Sequence, residues 1–113
     1  MDFTVIAHAV EVDHGIKRLS MRFIKKYADP GRDRLSREFC DQITAELEKS
    51  GLITLPVRLP TSENEFVFVI EKESSIGQAV RIASSMAHLS KIGASPFSSL
   101  GPHNYPAMAD DLL

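Results

Sequence analysis

The sequence is poor in the residues from which most covalent and metal chemistry is built. Its one cysteine, Cys40, cannot close an intramolecular disulfide, so nothing in the chain requires an oxidising compartment and the cytoplasm is the expected location. Phe39 and Asp41 flank this thiol and supply no cation to lower its pKa, so it reads as a small buried hydrophobe. The four histidines, His8, His14, His88 and His103, have no second ligand at the close spacing of common zinc sites. No metal and no cofactor is expected. Glycine-rich phosphate loops are missing as well: "DPGRD" has one glycine, and Asp29 and Asp33 already take the anionic place ahead of a helix. The opening "MDFTVIAHAVEVDHG" lacks a basic leader, and no apolar run approaches the ~20 residues of a membrane span. Export by a standard signal peptide and a membrane partner are therefore not expected.

At 113 residues and 43% hydrophobic, the chain suits one domain with one modest core. Its net charge of −2 conceals a strong division. Residues 17–37 hold eight cations (Lys17, Arg18, Arg22, Lys25, Lys26, Arg32, Arg34, Arg37) against two acids, whereas the remainder holds five basic and thirteen acidic residues. Such asymmetry either attracts a polyanion or an acidic protein, or is satisfied internally by the chain's own carboxylates.

Residues 3–12, "FTVIAHAVEV", are rich in β-branched and small apolar residues, and "KRLSMRF" (17–23) alternates Leu19, Met21 and Phe23 with Arg18, Ser20 and Arg22. Both segments predict strands joined by "DHG". A three-residue loop with Gly15 left-handed sets Glu11 opposite Lys17 and His8 outside; a two-residue "HG" loop turns Ile6, His8 and Val10 inward. The spacing of Leu35, Phe39, Ile43 and Leu47 then predicts a helix, with Asp33 as N-cap and Gly51 as its stop. "LITLPVRLP" predicts an edge strand broken by Pro56 and Pro60, and "FVFVIE", apolar on both faces, a central one. A second helix follows, with Ser75 and Gln78 in capping-box spacing.

The expected fold is α+β: a four-stranded antiparallel sheet in the order β-β-α-β-β-α, with two helices on one face. Residues 1–92 would form this domain, and 93–113, with three prolines and two glycines, an extended or weakly structured C-terminal tail.

In that arrangement Arg18, Ser20, Arg22 and Ile24, joined by Arg58 from the edge strand, form a mixed aliphatic and arginine sheet face. Tyr105, Met108 and Leu112, beside Asp110 and Asp111, give the tail an acidic and apolar docking end. These residues point to a small non-enzymatic regulatory module that binds a protein partner or pairs as a homodimer, because arginine and large apolar side chains concentrate at interfaces. Nucleic-acid binding through the basic 17–37 segment is the alternative. Against it, sheet-based readers present aromatic side chains for stacking, and Phe23 is expected to face inward. A small enzyme with a site near His88 is the second alternative. Ser84 stands one helical turn from His88 but lacks a third group to orient the imidazole.

Overall fold

The computed structural model describes residues 1–93 and 106–113. The first segment is not a strand but a helix, α1 (Thr4–Val12). Its residues are apolar at both parities, and the spacing that matters is Phe3, Ile6 and Val10, all buried on one stripe, with Val5 and Val12 left in solvent. Burying each such side chain contributes about 1.5–3 kcal/mol, against less than about 0.7 kcal/mol per residue for β-branching in a helix. The "DHG" turn ends this helix instead of closing a hairpin. His14 and Gly15 take positive φ (63° and 96°), His14 N–H donates to Glu11 O and Gly15 N–H to Val10 O, the paired bonds of a Schellman stop. Lys17 consequently meets Asp13, not Glu11.

β1 (Ile16–Ser20) is shorter than the expected strand. At Ser20 the chain turns directly into α2 (Met21–Ala28), whose first turn is capped by the Ser20 hydroxyl accepting from Phe23 N–H at 3.1 Å. Met21, Ile24 and Ala28 are buried at helical spacing. The alternation of Leu19, Met21 and Phe23 therefore crosses an element boundary, with strand period before Ser20 and helical period after it.

α3 (Arg37–Lys49) buries Phe39, Cys40, Ile43 and Leu47 as expected, but its N-cap is Ser36, whose Oγ accepts from Phe39 N–H at 3.0 Å. Gly51, at φ 78°, follows the helix and leads into β2 (Leu52–Leu55). β3 (Phe66–Glu71) lies between the other two strands, giving a three-stranded antiparallel sheet of order β1-β3-β2. The expected fourth strand is absent because its residues form α1.

The core lies between one face of this sheet and α1, α2 and α3. Leu19, Leu52, Val67 and Val69 from the strands pack with Ile6, Val10, Met21, Ile24, Phe39 and Ile43 from the helices. β2 presents Leu52 and Thr54 to this side and ends at Leu55, which lets Leu59 return to the core at 0% exposure. Thr54, though buried, is satisfied, its hydroxyl donating towards Pro56 O at 3.0 Å and lying 3.3 Å from Val57 O.

α4 (Ser75–Lys91) packs where β3 ends and is capped by Ser74, one residue before the expected cap. The described end of the chain is not extended but helical. α5 (Pro106–Leu112) packs on α4, Ser84 Oγ donates to Leu112 O at 2.7 Å, Val57 N–H donates to Asp111 O at 2.8 Å, and Leu112 is buried. Among the described residues, no helix is long and apolar enough to cross a membrane.

Candidate protein-binding face

The sheet register decides which side chains share the face opposite the core. Arg18 pairs with Phe68, Ser20 with Phe66, and Leu55 with Phe68 across the other ladder. Arg18, Phe66 and Phe68 therefore come together on one surface although β1 and β3 are far apart in sequence. Phe66 is 51% exposed and Phe68 41%, and the Arg18 guanidinium carbon lies 4.1 Å from the centroid of the Phe66 ring. The ring quadrupole attracts the cation and holds a long side chain in one place. Toward the other end of β3, Ile70 on the same face is fully buried and α4 packs against the strand, so the open part is the half that carries the two phenylalanines.

The expected site residues divide. Arg18 lies in this patch. Ser20 adjoins it, but its hydroxyl is committed to capping α2. Arg22 has left the sheet for α2, where Nη2 donates to Asn64 Oδ1 at 2.9 Å and Nε stands 3.8 Å from Glu63 Oε2. Ile24 is wholly buried in the core and cannot meet a partner. The strand period that would put it outside stops at Ser20, where a helix begins. Arg58 is exposed in the connection after β2. Met108 is 42% exposed, whereas Leu112 is 4% exposed and docked within the chain. Tyr105 lies outside the described residues.

The basic segment is largely answered from within. Lys17 pairs with Asp13, Arg22 and Lys25 with Glu63, and Arg37 with Asp41. Half of its eight cations thus stand beside the chain's own carboxylates, and Arg32 stacks on Phe39 at 4.1 Å. The hydrogen bond from Lys25 is the main cause holding the Glu63 carboxyl below its ordinary range, with Arg22 adding to it. Cys40 moves the other way: burial pushes its thiol pKa up, outweighing the nearby Arg37, as befits an inert core thiol.

His88 is exposed on α4, and Ser84 directs its hydroxyl to Leu112 O, not to the imidazole. A groove of about 260 Å³ does lie nearby along β2, between α3 and α4, and its rim carries Lys72, held by Glu48 at 3.1 Å. His88 is not part of its lining. Among the described residues, no group of three or more His, Cys, Asp or Glu side chains is placed to hold a metal ion.

Sequence reading missed Phe66 and Phe68. The signal was present in "FVFVIE": the aromatics occupy one parity and Val67 and Val69 the other, so the two faces differ in kind even though both are apolar. No family model, curated protein or solved structure matches the chain.

Proposed function

We propose that this chain is a non-enzymatic, regulatory protein-binding module whose contact surface is the open sheet face around Phe66, Phe68 and Arg18. The carrying observation is the exposure of two adjacent phenylalanines with an arginine stacked beside them. Aromatic and arginine side chains are those on which binding energy concentrates, and contiguous exposed apolar surface of this kind is uncommon on a protein that acts alone. The partner is a protein, either another species or a second copy of the chain.

The same residues support nucleic-acid binding as a second reading, since stacked bases use aromatic rings on a sheet flanked by arginine. The pairing of Lys17, Arg22, Lys25 and Arg37 with carboxylates weighs against it, because those cations are less available to neutralise phosphates.

The test compares the wild-type chain with a Phe66→Ala/Phe68→Ala variant in affinity capture from host lysate, with circular dichroism to verify that both fold. Partners lost on the double substitution support the protein reading; an unchanged set of partners removes this face. Light scattering at high concentration decides self-association, and a monomer there excludes it. Affinity for a random oligonucleotide that falls steeply with salt would transfer the face to the second reading.

A further inference from the structure

The two edges of the sheet are closed very differently. In the antiparallel ladder, Glu71 N–H donates to Gly15 O at 2.8 Å and Met21 N–H to Glu65 O at 2.9 Å, which fixes the alternation: Lys17 and Leu19 turn their backbone groups to β3. Ile16, Arg18 and Ser20 turn theirs outward. Among the described residues, no backbone or side-chain group accepts from the N–H of any of these three. On β2 the N–H groups of the outward residues Leu52 and Thr54 likewise have no acceptor among the described residues, but both residues are buried at the floor of the groove between α3 and α4, and the bond from Val57 to Asp111 O ties α5 across the end of that edge.

β1 therefore has the form of a strand awaiting a neighbour, and the neighbour's chemistry is written in the side chains beside it. Arg18 is exposed and has no carboxylate within ion-pair distance among the described residues, and the Phe66 ring already holds its guanidinium in place. Arg22, 65% exposed in its side chain, continues the positive charge past the end of the strand. A strand laid along β1 would put every second side chain on the Phe66 and Phe68 side, in reach of Arg18. We propose that the binding face takes an extended, acidic peptide segment of its partner by strand addition to β1, with the carboxylates that fall on the Phe66 and Phe68 side of the sheet meeting Arg18. This rests on the protein-binding reading and specifies its mode. A second copy of β1 suits the edge less well. Antiparallel pairing centred on Arg18 or Lys17 sets like charges opposite each other, and centring it on Leu19 brings α2 into the ladder.

The experiment is an amide NMR titration of the full chain with three eight-residue peptides: alternating Val-Glu, alternating Val-Lys, and Val-Glu with the backbone nitrogens of one edge methylated. Expected are shifts centred on the Ile16, Arg18 and Ser20 amides, at least tenfold tighter binding of Val-Glu than of Val-Lys, and loss with the methylated peptide. No binding, equal binding of both charges, or shifts elsewhere would overturn the inference and leave Arg18 as a guard against edge aggregation. Two variants separate this failure from that of the face itself. Arg18→Pro removes an N–H that β3 does not use, and should abolish peptide binding. If Phe66→Ala/Phe68→Ala abolishes partner capture while Arg18→Pro does not, the face stands and strand addition falls. If neither matters, both fall.

Discussion

Arg18 on edge strand β1 holds its guanidinium 4.1 Å above the ring of Phe66 on the central strand, joining two strands through a contact in solvent. Because that contact is exposed, Phe66→Ala is expected to lower stability by about 1 kcal/mol or less. Ile24→Ala, in the core at 0% exposure, should cost about 2–5 kcal/mol. Urea denaturation of both variants checks the contrast, and a large loss for Phe66→Ala would mean that the ring is structural.

Among the described glycines, Gly77 has the least room for a side chain. A Cβ there would lie 2.1 Å from Glu71 O and 2.6 Å from Lys72 O, both backbone atoms that cannot swing aside. Gly77→Ala should therefore destabilise by about 3 kcal/mol or more, although alanine is the better helix former. Neutral or improved stability in a thermal melt would show that α4 does not dock as described.

The start of α3 offers a cleaner test of local structure. Ser36→Ala removes the hydroxyl that accepts from Phe39 N–H and should cost about 1 kcal/mol. Asp33→Ala should change stability by no more than about 0.5 kcal/mol, since the bond from Lys25 goes to its backbone carbonyl. Reversal of the two effects would place the cap where the sequence pattern first suggested.

Acid should loosen the contact between α2 and the connection into β3. Glu63 titrates below the ordinary 4.5 because Lys25 and Arg22 favour its charged form. A depressed carboxylate stabilises the fold fully above its unfolded pKa, and that contribution is lost as pH falls through the folded value. Glu63→Gln should thus flatten the dependence of stability on pH in the acid range and leave the neutral and alkaline limbs parallel to wild type. An unchanged acid slope would show that the pair with Lys25 does not persist in solution.

What the sequence made legible follows from how local each signal was. α3, α4 and the central position of β3 could be read because Leu35 to Leu47, the Ser75 and Gln78 spacing that falls one residue past the true cap of α4, and the two-sided apolar run are self-contained patterns. The failures cluster where a pattern changes within a few residues. Gly15 is left-handed, as the three-residue loop requires, but the bonds from His14 and Gly15 back to Glu11 and Val10 show it ending a helix, and nothing in "DHG" alone separates that from a hairpin. Ser20, alternating with arginines, looked like one more strand residue while it was capping α2. The proposed binding face is half legible: Arg18 stands out in the sequence, but its companions Phe66 and Phe68 reach it only through strand order, which the sequence does not display.

That strand order also dictates how the molecule must assemble. Leu55 and Phe68 sit across a short connection and can find each other early, whereas Ile16 must wait for Ile70, the whole of α2 and α3 intervening. During synthesis β1 leaves the ribosome long before its ladder partner does, with Leu19 uncovered in the meantime. The slow event in folding is therefore expected to be the pairing of β3 with β1, a distant closure that the local helices cannot hasten. Substitutions that weaken this ladder should slow folding more than those in α3 do.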